Sequence, residues 1–548
     1  MAECSDDILI KTMQEIVANW MSAKLTRQVG NSQIELAPKF IYLTHDDFTT
    51  KTISATNGAL YSNEESPTSQ ICYETRVGDD INGTGYDFGA IASSIKANIR
   101  ELKTLANENI GKSLNYSISD YFQSHSLISV QKKNDFKKMT PINPVISIAS
   151  TELPKFDDEK LIALAEKYSK ELKERRGIKS ATVTYELQKR VSRFVSSEGT
   201  VILSAEWRPV FVVGLEIKDS DGRELDFADS YSTSTLEKIM SEKKLSEISE
   251  RLYKRTIQRI DCPVQEAGRF DAIFDPLGIG ILFHEIVAAH LLSAKYVLED
   301  NLTTFDISKL GKQIMPEFIS LYDDPLLRQA KDWNNFRYDD EGVPTQRKLL
   351  VENGILRGYL SDRSSAAKLS DIIKAPVYPG NSRRETDSTD APEPRISNLE
   401  VITSEPKSFE DMKKALIKKC IKEDKDYGIL FYGDNGSVHI DEEEETQGLN
   451  QHNPSFIYRI DTSGRITPVK CAHVIGVAYN MLNSVLMLGK NRTYLTGYCG
   501  ADSGFIPAGE LAMHGLLSNV EFVSEKKDLE QDLLLKTDDE NDCDEDKE

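Results

Sequence analysis

The chain has 548 residues, of which 39% are hydrophobic and 28% charged, and its formal net charge is −21. This length predicts three or four folded units rather than a single core, because domains average about 150 residues. The acidic balance argues against a nucleic-acid partner, which would require a basic stripe. No apolar run reaches the roughly 18 residues that a membrane-spanning helix needs, so no membrane partner is predicted.

The cysteines and the N-terminal residues indicate the compartment. Seven cysteines are scattered without paired spacing, and the first residues lack the basic region and the small-residue cleavage site of an export signal. These features predict a cytoplasmic protein with reduced thiols. Each cysteine is then a small buried side chain, a metal ligand or a nucleophile.

The first predicted unit is an N-terminal α+β domain, 1–120. Helical periodicity covers 6–29, short alternating runs follow, and a second helix is predicted over 90–114. The stretch 75–90 is rich in glycine and aspartate and predicts a set of tight turns. The polar, serine-rich stretch 115–155 predicts a linker or a loose insertion.

The second predicted unit is a central α+β domain, 156–255. Its first helix ends at Gly177 and is followed by alternating strands. Turns at Glu198-Gly199 and Asp221-Gly222 predict hairpins between these strands. A helix closes the unit.

Residues 262–523 alternate apolar segments with long polar loops, which predicts a large β-rich C-terminal domain. The remaining residues, 524–548, carry twelve acidic residues against four lysines and predict a disordered tail. The fold class predicted for the whole chain is therefore α+β. N-terminal and central α/β two-layer domains precede a β-rich C-terminal domain that carries the candidate metal helix.

The stretch RFDAIFDPLGIGILFHEIVAAHLL contains the candidate chemistry. It predicts a strand over 270–274, a turn at Asp275-Pro276, and a helix that holds His284 and Glu285. A zinc hydrolase needs imidazole or thiolate ligands and a carboxylate that takes a proton from water. A glutamate next to a ligand histidine suits that second role.

The spacing of the second histidine is unusual. In an ideal α-helix it belongs four residues after the first, whereas His290 follows His284 by six, about 240° round the helix axis. A π-bulge or an early end of the helix would be required to bring the two rings together. On spacing alone, the alternative is two histidines packed in the core.

The whole chain resembles the TldD/PmbA family of metallopeptidases and their partner proteins. Beside the histidine–glutamate helix, five collinear segments carry the resemblance: TRVGDDINGTGYDFG, FRYDDEGVPTQRKLLVENGILRGYLSDRSSA, GNSRRETDSTDAPEPRISNLEV, YRIDTSGRITPVKCAHVIG and YLTGYCGADSGFIPAG. The resemblance covers nearly the full length.

This resemblance implies a zinc ion held by His284, His290 and Cys499, with Glu285 as the general base. It also implies unfolded peptides or small proteins as substrates, enclosed in a chamber between two subunits. The expected partner is a second copy of the chain or a PmbA-like subunit. The sequence departs from the family by one extra residue before His290, and in the segments LLSAKYVLED and GADSG.

Two functions remain open at this point. The first is a TldD-like zinc metallopeptidase. The second is a non-catalytic PmbA-like subunit that structures a chamber or binds substrate. Arg383, Arg384 and Arg395 could grip a peptide carboxylate, or form salt bridges with the acidic run 339–341, which we favour. The acidic run 441–446 is predicted to be a solvated loop.

Overall fold

The computed structural model describes the following residues: 7–29, 31–79, 83–93, 99–126, 138–152, 154–233, 235–285, 292–298, 305–330, 333–433, 449–452, 454–470 and 472–524. His290, the acidic run 441–446 and the acidic tail from residue 525 lie outside them, so the predictions for these parts stay predictions. Within the described ranges, no helix combines the length and hydropathy that crossing a membrane requires.

The N-terminal half of the chain forms one large, mostly antiparallel sheet covered by helices, and a separate hairpin of β1 and β2. Its elements in chain order are α1 (Ile8–Met21), β1 (Leu25–Val29), β2 (Ser32–Leu36), β3 (Pro38–Thr56), β4 (Ala59–Asp79), β5 (Gly83–Ser93), α2 (Ile99–Ser126), β6 (Ile146–Ile148), α3 (Asp158–Lys173), β7 (Ile178–Ser196), β8 (Val201–Lys218), β9 (Glu224–Ser232), α4 (Leu236–Ile239) and α5 (Glu242–Ile257). The strand order is β5-β4-β3-β7-β8-β6, with β9 also beside β8.

The pairing of β3 with β7 joins the two predicted N-terminal units. The two strands pair without interruption from Tyr42 opposite Ser196 to Thr56 opposite Thr182. Helices α1 and α2 pack on the β3–β5 side of the sheet, and α3 and α5 pack on β7 to β9. Strands from 1–120 and from 156–255 thus share one sheet. The position of the boundary between the two predicted domains stays a prediction.

The C-terminal half is rich in strands. Its elements are β10 (Gly268–Phe274), α6 (Pro276–Phe283), α7 (Ala294–Leu298), β11 (Ile319–Asp323), β12 (Lys348–Glu352), β13 (Ile355–Leu356), α8 (Arg363–Ile373), β14 (Ser382–Arg383), β15 (Glu393–Pro394), β16 (Asn398–Thr403), β17 (Pro406–Lys407), α9 (Phe409–Lys422), β18 (Tyr427–Gly433), β19 (Leu449–His452), β20 (Pro454–Asp461), β21 (Ile466–Val469), β22 (Ala472–Val477), α10 (Ala478–Asn483), β23 (Val485–Gly489), β24 (Thr493–Ala501), β25 (Gly504–Ala512) and β26 (Gly515–Ser524).

Two sheets and one short helix define the centre of this half. One sheet runs β17-β23-β26-β10-β18-β20-β21, and the other runs β13-β12-β11-β16-β25-β24. Helix α6 contacts β10 and β18 of the first sheet and β24 and β25 of the second. A single apolar core, with Phe274, Ile279 and Phe431 among its members, fills the space around it. The predicted α+β class with a β-rich C-terminal region is confirmed.

Several local predictions are confirmed, and others are wrong. The two predicted hairpin turns join β7 to β8 and β8 to β9, and Gly199 and Gly222 have the positive φ that such turns favour. The helix predicted over 6–29 ends at Met21, because the following residues pair as β1 and β2. The tight turns predicted at 75–90 are mostly strand, since β4 continues to Asp79 and β5 begins at Gly83.

The stretch predicted as a linker from residue 115 begins inside a helix. Helix α2 continues to Ser126, and its serines face the sheet: Ser113 and Ser117 hydrogen-bond to the Thr75 hydroxyl at 2.7 and 2.8 Å. These small side chains let the helix lie close to the strands. An added Cβ on Gly85 of β5 would come within 1.8 Å of the Ser117 carbonyl oxygen. In the helical part of the stretch, Ser117 therefore serves close packing of α2 on the sheet rather than a loose connection.

Buried ion pairs join the two halves of the chain. Arg363, which is 1% exposed, donates two hydrogen bonds of 2.8 Å to the Glu198 carboxylate. Lys470 is likewise buried and pairs with Asp219. Because removing one partner of such a pair leaves an uncompensated buried charge, these contacts hold the β-rich half in a defined position on the N-terminal sheet.

Candidate metal centre

Helix α6 begins with a strong N-terminal cap. The Asp275 side chain accepts hydrogen bonds from Gly278 N at 2.8 Å and Gly433 N at 3.0 Å, and Pro276 occupies the first turn. The regular helix ends at Phe283, and His284 and Glu285 continue in a wider, π-helical turn. This is the type of irregularity that the histidine spacing requires.

A strand hairpin brings the second group of candidate residues to the end of α6. In the β24–β25 pair, Cys499 lies opposite Ile506 and Glu510 lies opposite Leu495. Side chains alternate along a strand, so Cys499 and Glu510 point to the same face of the sheet. Gly280 permits the close approach of α6 to this face, because a Cβ there would lie 3.0 Å from the Glu510 Cβ.

His284, Cys499 and Glu510 meet in the interior. His284 is 4% exposed and Cys499 is 2% exposed. The His284 imidazole contacts the Cys499 side chain, and its Nδ1 lies 2.8 Å from Oε1 of Glu510. That second contact is at ion-pair distance, although its angle is not that of a straight hydrogen bond. Burial alone would lower the pKa of His284, but the Cys499 sulfur and the Glu510 carboxylate outweigh it and raise the pKa well above its usual range.

These donors suit zinc. Zinc is bound by imidazole nitrogen and cysteine sulfur, and a carboxylate on the far nitrogen of a ligand histidine commonly fixes its tautomer. Glu285 follows His284 on the same turn and is half-buried. The described residues hold no group of three or more histidine, cysteine, aspartate and glutamate side chains arranged for a metal ion. His290, the predicted third ligand, is outside the described residues.

Arg395 holds the strand that carries Cys499. It is 1% exposed and donates hydrogen bonds to the Cys499 carbonyl at 2.5 Å, to the Ser503 hydroxyl at 2.7 Å and to the Gly504 carbonyl at 2.9 Å. Its guanidinium therefore ties both strands of the hairpin together beside the thiol. Sequence reasoning offered a peptide-gripping role for Arg395 or salt bridges with the acidic run 339–341. The structure shows a clamp on the hairpin, together with a longer ion pair of 3.6 Å to Glu393.

The other two arginines of the same loop also bond within the chain. Arg383 donates to the Ile396 and Pro507 carbonyls at 3.0 and 2.9 Å. The Arg384 guanidinium reaches the Cys72 sulfur at 2.7 Å, and it reaches the Asp46 carboxylate at 3.4 Å. The favoured salt bridges with the acidic run 339–341 are therefore not the main contacts of these three guanidinium groups. The Asp340 carboxylate accepts from the Arg384 backbone N–H.

The two segments that depart from the family pattern contact each other. Lys295, from LLSAKYVLED, forms ion pairs with Asp502, from GADSG, and with Glu393. Glu393 also accepts a hydrogen bond from Ser503 N at 2.9 Å. Both departures thus belong to one polar cluster at the tip of the β24–β25 hairpin, next to the Cys499 clamp.

Sequence reasoning missed Glu510. Its signal was an acidic residue inside the apolar strand FIPAGELAM, where a charge needs a specific partner. The strand register that places it beside His284 is not visible in the sequence, since β24 and β25 must pair before Glu510 and Cys499 share a face.

The β-rich half matches a known domain model. Residues 267–508 match the PmbA/TldA metallopeptidase C-terminal domain. The C-terminal half of the chain therefore carries a domain of the TldD/PmbA family, in agreement with the resemblance found in the sequence.

Individual relatives agree with this assignment. A metalloprotease from Methanothermobacter thermautotrophicus is 26% identical over 63% of this chain and 69% of its own length. A zinc metalloprotease TldD homolog from Saccharolobus solfataricus is 25% identical over 46% of this chain and 52% of its own length. The solved structure of TldE from Thermococcus kodakarensis has a TM-score of 0.60 and 16% identity, and the match covers 89% of this chain and 97% of TldE. That likeness shows the fold.

Proposed function

We propose that this chain is a TldD-type zinc metallopeptidase that hydrolyses peptide bonds in unfolded peptides or small proteins. In this proposal His284, His290 and Cys499 hold the zinc, and Glu285 is the general base. The observation that supports it most is the meeting of His284 with Cys499, which lie more than 200 residues apart in the sequence and have the carboxylate of Glu510 behind the imidazole. A non-catalytic subunit would have no need to retain this arrangement.

Each residue has a defined task in this reaction. Zinc, when bound, supplies a Lewis acid that polarises a peptide carbonyl and activates water. Glu510 holds the far nitrogen of His284 so that its other nitrogen is free for the metal. Arg395 fixes the backbone at Cys499. Glu285 takes the proton from water and then delivers it to the leaving amine.

The strand that bears Cys499 offers a surface for a peptide. Strand β24 ends its sheet, and no described strand pairs with its outer edge. An extended chain can add to such an edge through backbone hydrogen bonds, whatever its side chains are. Two residues before Cys499, a Cβ added to Gly497 would have no atom within 4 Å, so the space at Gly497, on the same face of β24 as the thiol, is open among the described residues. Both features support an unfolded peptide as the substrate.

We further propose that the chain acts in the cytoplasm as a dimer, either with a second copy or with a PmbA-like subunit. The structural likeness to TldE supports a family partner. Four cysteines within the described residues are buried, which is consistent with reduced thiols in the cytoplasm: Cys72, Cys262, Cys420 and Cys499.

Metal removal tests the proposed function. Purified protein is expected to hold about one zinc per catalytic chain and to hydrolyse a fluorogenic unfolded peptide. Dialysis against a chelator should abolish hydrolysis, and added zinc should restore it. Zinc content by mass spectrometry and the hydrolysis rate are measured on the same samples, with and without a PmbA-like subunit. Absence of bound zinc after repletion under both conditions contradicts the proposal and favours a non-catalytic subunit.

Glu510→Gln should weaken zinc binding without preventing folding. The amide keeps the shape of the carboxylate but loses its charge, and such partners of a ligand histidine typically contribute 10- to 100-fold in metal affinity or activity. The zinc dissociation constant, measured by competition with a chromophoric chelator, should rise by about that factor. Glu521→Gln removes an exposed carboxylate from the strand that follows β25 and serves as the control. Equal zinc affinity in both variants would show that Glu510 has no role in the site.

A further inference from the structure

A large cavity lies between the N-terminal sheet and the β-rich half. Its volume is about 760 Å³. Strand β9 and helix α5 form one wall, and the ends of β18 and β24, with the first residues of α6, form the other. Its lining includes Thr496 of β24, three residues before Cys499, a distance of about 10 Å along an extended strand. A peptide paired with the outer edge of β24 would therefore extend into this cavity.

Arg255 at the cavity wall, and the buried Arg259 after the end of α5, have no ion-pair partner among the described residues. Arg255 lines the cavity, and its guanidinium carbon lies 4.6 Å from the Tyr432 ring centre and 5.5 Å from that of Phe456. Arg259, four residues later, lies 5.0 Å from the same Phe456 ring. Arg259 is 1% exposed, and its guanidinium carbon lies 4.5 Å from the Tyr458 ring centre. Apart from this contact with Tyr458, neither of its Nη atoms has a well-aligned hydrogen-bond partner in the described part of the chain.

The carboxylates of the cavity are committed elsewhere. Asp229 makes two hydrogen bonds, of 2.8 and 2.7 Å, with Arg251. Asp275 caps α6 through two backbone N–H groups, and burial raises its pKa to about 6. Within the described residues no carboxylate forms a direct ion pair with Arg255. The Asp275 carboxylate attracts it only at longer range, and the aromatic rings hold the guanidinium in place by cation–π contact.

We infer that Arg255, with Arg259 behind it, forms a subsite that binds a carboxylate of the peptide substrate. This inference rests on the proposed peptidase function for the identity of the ligand. The carboxylate is either the C-terminus of the peptide or an aspartate or glutamate side chain, located about three residues from the bond that is cleaved. The arginine fork supplies two parallel N–H donors for such a group.

The test measures binding of labelled peptides to the full chain in a Glu285→Gln background, so that no peptide is consumed. The probes share one pentapeptide sequence. One is neutral with a C-terminal amide, one has a free C-terminal carboxylate, and one has glutamate in place of glutamine with the amide retained. At least one carboxylate peptide should bind about tenfold or more tightly than the neutral peptide, as a charged hydrogen bond predicts. The preference should shrink in high salt.

Variants assign the preference to Arg255. Arg255→Gln should abolish it, and Arg255→Lys should reduce it because the ammonium lacks the planar fork. Lys254→Gln removes the same charge from the adjacent, exposed position of α5, where the lysine pairs with Glu250, and should leave the preference intact. Circular dichroism verifies that each variant folds. If Arg255→Gln does not fold, the Arg255→Lys variant and the salt dependence of binding to the unmodified chain decide whether Arg255 carries the preference.

The outcomes separate this inference from the proposed function. Equal affinity for all three peptides, a preference that survives Arg255→Gln, or no binding of any peptide would overturn the subsite. Hydrolysis by zinc-loaded wild-type protein without a charge preference keeps the peptidase and removes the subsite. If the chain binds carboxylate peptides selectively but holds no zinc and hydrolyses no peptide, the subsite is kept and the proposed peptidase function is removed.

Discussion

Glu285→Gln is expected to reduce kcat for peptide hydrolysis by about 10²- to 10⁴-fold while leaving zinc content unchanged. Glutamine matches glutamate in size but cannot accept a proton from water at neutral pH. Because Glu285 is not a proposed ligand and stands on the turn after α6, the His284–Cys499 contact should persist in the variant. Hydrolysis rates and zinc content of the same preparations are the measurement.

The control for this experiment is an exposed glutamate of the same half of the chain. Glu317→Gln, at an exposed position before β11, should retain full activity. Loss of zinc together with activity in Glu285→Gln would show that Glu285 is a ligand and not the base. Unchanged hydrolysis would remove Glu285 from the reaction.

Substitution of His284 or Cys499 by alanine is expected to remove zinc altogether. Zinc in proteins is normally held by three or four ligands, and its binding free energy depends on each of them being deprotonated and in place. With one of three ligands lost, zinc content should fall below about a tenth of an equivalent after dialysis, and hydrolysis should fall with it. Replacing zinc by cobalt gives an independent signal, since the absorption from the thiolate should be absent in Cys499→Ala.

Another buried thiol provides a matched control for the cysteine. Cys420 lies in α9 and belongs to a separate apolar cluster with Met412 and Leu416. Cys420→Ala should lower the free energy of unfolding slightly, because the substitution leaves a small cavity. The variant should still bind a full equivalent of zinc. If Cys499→Ala binds zinc as tightly as Cys420→Ala does, Cys499 is not a ligand and the proposed metal site is wrong.

Much of the local structure was predictable from sequence. The strand before Asp275, the proline at the first turn of α6 and the hairpins at Gly199 and Gly222 follow from turn and capping chemistry that acts within a few residues. The errors lie where distant contacts decide. Residues 115–126 of the serine-rich stretch are helical, and Ser117 bonds there to Thr75 of β4, whereas hydroxyl groups in an isolated segment would favour a loop.

For the candidate site, the sequence by itself determined the residue types and their order: a histidine–glutamate pair at the end of an apolar helix, and a cysteine between glycines more than 200 residues later. Only the tertiary structure decided that His284 meets Cys499, that Glu510 stands behind the imidazole and that Arg395 clamps the hairpin. The physical reason is register. Which side chains of β24 and β25 share a face depends on the pairing of the two strands, and which of them reach His284 depends on how closely Gly280 lets α6 approach that pair.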